Sequence, residues 1–151
     1  MITDVPGIRV GHAWDEVGLT GVSVVVCERP AVCGVALRGA ANDVVGLDYL
    51  DPAHIVATVN AVVLGGGSRF GEEAIAGVMR VLEARGVGYA AGPTVVPHVP
   101  GAFLFDLNVG DGRVRPTREM GAGTGCSVGK LHGIARAMRG GIGSASVRIG
   151  G

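Results

Sequence analysis

The hydrophobic pattern opens with two β-branched runs, at 22–27 and 32–37. Glu28-Arg29-Pro30-Ala31 links them and is short enough for a hairpin-like turn, so the pair predicts two neighbouring strands. Asp51-Pro52 has the form of a helix N-cap and first helical position, with Ile55, Val56 and Val59 as the buried stripe. Residues 61–64 form a short apolar strand that runs straight into Gly65-Gly66-Gly67-Ser68. The strongest period follows. Ile75, Val78, Met79 and Leu82 recur at i, i+3, i+4 and i+7, which predicts a helix over about 71–85. Glu72 and Glu73 suit its positive end, Arg85 its negative end, and Gly86 the position just beyond. Segments 87–91, 95–99 and 102–107 are further extended candidates, divided by Pro93, Pro97 and Pro100. From Gly121 onward glycine punctuates the chain, and only 144–149 alternates like a strand. There is no internal repeat, linker or low-complexity stretch. The pattern predicts a single domain over residues 1–151 of α/β (α+β) class.

Composition changes this picture in two respects. The chain has 151 residues, enough to bury a core, and 48% of them are hydrophobic. Its 28 glycines far exceed the usual level of roughly 7%. They are expected where loops turn sharply or backbone approaches backbone. The formal charge is zero and no basic run stands out, so neither nucleic acid nor an acidic membrane surface is an expected partner. No leader pattern or membrane-length apolar run is read, and a cytoplasmic protein is the expectation. Cys27, Cys33 and Cys126 lack a C-x2-C pair, which supports neither a disulfide framework nor a zinc site.

Candidate chemistry gathers at two glycine-rich loops. Strand, turn and helix around Gly65-Gly66-Gly67-Ser68 could cradle an anion on backbone N–H groups, or could simply be tight strand-to-helix packing with Ser68 as a cap. The segment is not a dinucleotide-binding fingerprint in its usual context, nor a Walker loop. Gly129-Lys130 is followed by Leu131, which argues against a triphosphatase. Lys130 closes a glycine-rich, apolar stretch where desolvation can lower a lysine pKa. His12, His54, His98 and His132 lack ligand spacing, so neither a metal nor another cofactor is expected. Asp106, Asp111 and Glu119 show no paired-carboxylate logic. Taken on their own, these residues define an α/β domain with two glycine-rich loops.

The ordered motifs say more. Ile2-Thr3-Asp4-Val5-Pro6-Gly7-Ile8-Arg9-Val10-Gly11-His12 resembles the opening of the DmpA-type L-aminopeptidase/D-esterases, whose relatives include β-peptidyl aminopeptidases and NylC-type nylon-oligomer hydrolases. The order then continues through Thr20-Gly21, Arg38-Gly39, Leu47-Asp48-Tyr49-Leu50-Asp51-Pro52 and Gly66-Gly67-Ser68-Arg69-Phe70-Gly71. Val96-Pro97-His98-Val99-Pro100, Phe105-Asp106-Leu107, Gly123-Thr124-Gly125, Lys130 and Gly140-Gly141-Ile142-Gly143-Ser144-Ala145-Ser146 complete it.

This resemblance implies a four-layer α-β-β-α sandwich of the DmpA/ornithine-acetyltransferase type, of which the chain is the larger, N-terminal (α) part. It implies a precursor that cuts itself before a Ser or Thr, which then attacks amides as an N-terminal nucleophile. Lys130 matches a lysine near the nucleophile and is carried over as catalytic. Gly67, Ser68, Phe70 and Thr124 are carried to the substrate cleft and oxyanion region. The oxyanion-hole asparagine and the nucleophile are expected beyond Gly151, so residues 1–151 alone are expected to be inactive. The implied partners are the C-terminal (β) part of the same precursor, a small peptide or amide substrate, and further copies in a homo-oligomer. Arg69 and Glu72-Glu73 depart from the small or apolar residues common in this turn. The run of Met120 into Gly121-Ala122-Gly123 also lacks a helical segment usual in relatives. A non-catalytic scaffold that kept the fold is the competing reading, and a nucleotide-binding module a third.

Overall fold

The computed structural model of the chain describes residues 1–116 and a small strand pair, β8 (Ser127–Val128) with β9 (Met138–Arg139). Strand β2 (Thr20–Ala31) takes its partners from either side, β1 (Ile8–Asp15) and β4 (Val59–Gly65), both antiparallel. The turn into β2 is fixed by Asp15, whose Oδ1 accepts from the N–H groups of Val17 at 2.9 Å and Gly18 at 2.5 Å.

This corrects the predicted hairpin. Glu28-Arg29-Pro30-Ala31 continues β2 instead of turning, with the β4 register irregular between Val26 and Ala31. Pro30, which lacks a ladder donor, falls in that irregular stretch. Both edges of β2 are already taken, so the run at 32–37 finds no partner. Val32 is left 84% exposed.

The predicted helix after Asp51-Pro52 is likewise absent. A short 3-10 turn, Asp48–Leu50, comes first, and Asp51 Oδ1 then accepts from Ala53 N at 2.8 Å in a local turn. Ile55, placed in the buried stripe, is 90% exposed, and Val59 is the first residue of β4. A helix nucleus is costly, and β4 claims the chain before one could repay it.

The sheet is completed by β7 (Gly101–Phe103), parallel to β4, and β3 (Asp43–Val45), antiparallel to β7, in the order β1-β2-β4-β7-β3. Between β4 and β7 run a 3-10 turn, Ser68–Glu72, helix α1 (Glu73–Ala84), and the hairpin of β5 (Tyr89–Ala91) and β6 (Thr94–Val96). The helix therefore starts slightly later than predicted and on the predicted face. Ala74, Ile75 and Leu82 pack with Val22, Ala61, Val63, Val99 and Phe103 to form the core. Segments 87–91, 95–99 and 102–107 contain β5 and most of β6 and β7, all shorter than predicted. The alternation at 144–149 lies outside the described residues. The architecture is a mixed α+β fold, and among the described residues no helix is long and apolar enough to cross a membrane.

Helix α1 ends as its sequence predicts. Gly86 has φ +69°, its N–H donates to Glu83 O at 2.8 Å, and Val87 N–H donates to Leu82 O at 2.9 Å. This is the paired closure in which a glycine adopts the left-handed conformation and the next apolar side chain returns to the core. A Cβ at Gly86 would meet nothing within 4 Å, so a substitution there tests backbone conformation alone. Gly86→Ala is expected to lower stability by about 1 kcal/mol, read as a lower urea midpoint at constant slope. An unchanged midpoint would contradict the assigned closure.

Candidate functional site

Strands β4 and β7 end side by side, Gly65 opposite Phe103, and the chain leaves the sheet there in two directions. In α/β sheets such carboxyl ends of parallel strands commonly border ligand crevices. Past β7, Leu104 N–H donates to Gly65 O at 2.8 Å and Leu104 O accepts from Ser68 N–H at 2.9 Å. The buried Asp106 then completes the clamp. Its Oδ1 accepts from Gly67 N–H at 2.7 Å and its Oδ2 from Thr20 Oγ1 at 2.8 Å. Both Asp106 and Thr20 are buried, so each would be costly if left unpartnered.

The fit leaves no room at Gly66. A Cβ there would collide with Asp106 Oδ2 and stand 2.5 Å from Thr20 Oγ1. Gly66 N–H donates to Gly21 O at 2.8 Å and Phe70 N–H to Gly67 O at 3.2 Å. The N–H groups of Gly66, Gly67, Ser68 and Phe70 are thus all spent within the protein. Of the two readings of this loop, the arrangement is that of tight strand-to-helix packing. An anion would have to compete with Asp106 and three carbonyls for these donors.

The side chains of the turn face outward. Ser68 adopts φ +51°, uncommon for a residue with a Cβ, and its Oγ donates to Asp43 Oδ2 at 3.3 Å. Arg69 Nη1 lies 3.4 Å from Asp43 Oδ1, and its Nε 2.7 Å from Glu72 Oε1. The second contact lacks hydrogen-bond alignment, so it is an ion contact and no directed bond. The two acidic partners come from different elements, β3 and the 3-10 turn, and together they neutralise Arg69. Phe70 is 58% exposed, with the Arg115 guanidinium 4.3 Å above its ring. Pro116 is buried against Gly67, where a Cβ would stand 2.6 Å from its Cδ.

Of the site residues expected from sequence, Gly67, Ser68 and Phe70 therefore share one turn. Lys130 and Thr124 lie outside the described residues. Sequence reasoning missed Asp106, Thr20, Asp43 and Arg115 as participants, although Thr20-Gly21 and Phe105-Asp106-Leu107 stand among the motifs quoted above.

Two other candidates have structural roles. His98 lies beyond the opposite ends of β4 and β7, where its N–H donates to Asn60 Oδ1 at 2.9 Å and its ring stacks on Tyr49 at 4.5 Å. Burial, reinforced by nearby Cys33, pushes the Cys27 thiol up, which makes it a poor nucleophile. Among the described residues no group of His, Cys, Asp or Glu could hold a metal ion.

A mixed α+β chain with a clamped strand-turn-helix unit is a scaffold that many enzymes share, and comparison with known proteins narrows it. The profile of peptidase family S58 matches residues 1–151. The chain belongs to that family, the DmpA family. It is 41% identical over 170 residues to a protein named "Uncharacterized aminopeptidase Rv1333" of Mycobacterium tuberculosis (strain ATCC 25618 / H37Rv), covering 98% of this chain and 48% of that protein. Identity to "Uncharacterized aminopeptidase ML1167" of Mycobacterium leprae (strain TN) is 38% over 181 residues, with the same coverage of 98% and 48%. With the "6-aminohexanoate-oligomer endohydrolase" of Kocuria sp. (strain KY2), identity is 34% over 119 residues, covering 78% of this chain and 31% of that enzyme. The chain spans about half the length, or less, of these relatives.

Asp106→Ala strands a buried hydroxyl and a buried N–H, and is expected to cost about 2–4 kcal/mol. Gly66→Ala, whose Cβ would displace the Asp106 and Thr20 side chains from each other, should cost at least as much. Urea denaturation followed by circular dichroism measures both. A midpoint for Asp106→Ala equal to wild type would show that the clamp contributes nothing.

Proposed function

We propose that this chain is the N-terminal (α) part of a self-cleaving amidohydrolase of the aminopeptidase, D-esterase or oligoamide-hydrolase type. The reading rests on one observation: a chain matched by the S58 peptidase family along its length holds its signature turn rigidly at the carboxyl end of two parallel strands. The nucleophile is a Ser or Thr supplied beyond residue 151, freed as a new N-terminus when the precursor cuts itself. Its own α-amine, with an ordinary pKa of about 8, takes the hydroxyl proton as the oxygen attacks the amide carbon. The C–N bond then breaks, the amine leaves carrying that proton, and water hydrolyses the resulting ester.

In this scheme Gly67, Ser68 and Phe70 form a wall of the cleft. Since the N–H groups of Gly66, Gly67, Ser68 and Phe70 are spent, the oxyanion is held by donors from elsewhere, Thr124 and an asparagine beyond Gly151 among them. Lys130 stands near the nucleophile. The reaction needs no cofactor, and a small peptide or amide is its substrate. We assign the assembled protein to the cytoplasm, as a homo-oligomer of processed pairs.

The surface of the sheet turned away from α1 supports the four-layer sandwich. Strand alternation puts Ile8, Val10, Val25, Val62 and Leu64 there, all only partly buried. A second sheet from the remainder of the protein is the natural cover for such an apolar face.

Expression of the full-length protein should give two polypeptides by intact mass, the second beginning with Ser or Thr by N-terminal sequencing. The pair should release p-nitroaniline from an aminoacyl p-nitroanilide, while residues 1–151 alone should not. One uncut, inactive species would instead favour the scaffold reading. Lys130→Ala is expected to lower kcat by about 100-fold or more. Processing and turnover at wild-type level in that variant would remove Lys130 from the site.

A further inference from the structure

We infer that Arg115 is a carboxylate-recognition residue at the mouth of the cleft, selecting amides whose far end is a free carboxylate. The inference deepens the amidohydrolase reading and rests on it. Among the described residues the turn and the segment 104–116 together carry three arginines, and two of them are already paired with carboxylates. Arg69 sits between Asp43 and Glu72. Arg113 holds Asp111 in a two-point pair, Nε to Oδ1 at 3.0 Å and Nη2 to Oδ2 at 2.8 Å. Those bonds keep the Asp111 carboxyl at about 2, well below its ordinary value, and leave it no oxygen to offer a second guanidinium in the same way.

Arg115 lies close enough to help lower the Asp111 pKa, but among the described residues no carboxylate is hydrogen-bonded or ion-paired to it. Its Nη1 donates to Gly112 O and, at 3.4 Å, to Val114 O. One face of the guanidinium is covered by the Phe70 ring at 4.3 Å. The backbone next to it is pinned by Pro116, buried against Gly67. The guanidinium is thus held at Nη1 and along one face. What remains is the edge formed by Nε and Nη2, whose parallel N–H groups have the spacing of a carboxylate. If the guanidinium served only to cover Phe70, its plane and one nitrogen would need holding, but no donor edge would need to stay open.

The chemical consequence concerns substrate length. A short peptide or oligoamide ends in a carboxylate a fixed distance past the scissile bond, whereas a long chain or an amidated end presents none there. Arg115 would read that end while the free amine of the substrate lies on the other side of the bond. A lysine could supply the charge without the paired edge.

The test uses the full-length, processed protein and two substrates, a dipeptide with a free C-terminal carboxylate and the same dipeptide as its C-terminal amide. Wild type is expected to favour the free acid in kcat/KM. In Arg115→Gln that preference should fall by about 10- to 100-fold, the range that charge-assisted hydrogen bonds support, with the loss appearing in the KM of the free acid. Arg115→Lys should restore only part of it. A wild type that treats the two alike, or an Arg115→Gln that loses both equally, overturns the inference. If wild type cleaves neither, the hydrolase reading fails instead, and calorimetric titration of the same two dipeptides decides Arg115 on its own. Tighter binding of the acid that disappears in Arg115→Gln upholds the inference, and equal binding of both by wild type overturns it.

Discussion

One buried carboxylate ties together the ends of three neighbouring strands that lie far apart in the chain. Asp106 follows β7, Thr20 begins β2, and Gly67 follows β4. The Asp106 to Thr20 bond alone spans 86 positions of sequence. A buried carboxylate is tolerated only where hydrogen bonds replace the water it has lost. That requirement works in both directions here. Asp106 fixes where the 65–68 turn must run, and the turn, through Gly66, leaves space for Asp106 and nothing larger. The outward set of Ser68, Arg69 and Phe70 depends on this inner clamp, as does the seating of Pro116 and hence of Arg115.

How much of this was legible in the sequence follows from the range of the interactions. Helix α1 was read correctly in position, face and ending because its period, its acidic start and Gly86 are local signals. Residues 61–64 were legible for the same reason. Strand β1 was not predicted from its pattern, since His12 ends the brief alternation over 8–10, and the strand exists because β2 offers it a ladder. The run at 32–37 misled in the opposite sense. Its β-branched residues favour a strand, but propensity cannot create a free edge. The stripe after Asp51-Pro52 failed because Val59 belongs to the sheet. At the site, the glycine turn was visible and Asp106 was not, for neither of its partners lies near it in the chain.

The sheet is finished on one side only within the described residues. Helix α1 covers β4 and β7, but beside it a cleft of about 200 Å³ remains between the helix and β2, lined by Val22, Val24, Val26 and Val81 among others. The reverse face carries its own row of half-exposed aliphatic residues. With hydrophobic burial stabilising by about 25 cal/mol per Å², a five-stranded sheet with one helix leaves a large share of its possible stabilisation unused. This agrees with relatives of about twice the length, in which this region makes up 48% of the protein.

The clamp also limits what chemistry the turn can perform. A loop with free N–H groups can stabilise an oxyanion directly, and its sequence, three glycines before a helix, invites that reading. Here those donors close the protein's own structure. Freeing even one would leave Asp106 or a carbonyl without a partner, at a cost comparable with the oxyanion interaction gained. The turn therefore contributes rigidity, and its outward groups are side chains: the Ser68 hydroxyl bonded to Asp43 and the Phe70 ring under the Arg115 guanidinium. Under the amidohydrolase reading proposed above, such groups would orient and discriminate, and bond breaking would belong to residues elsewhere in the protein.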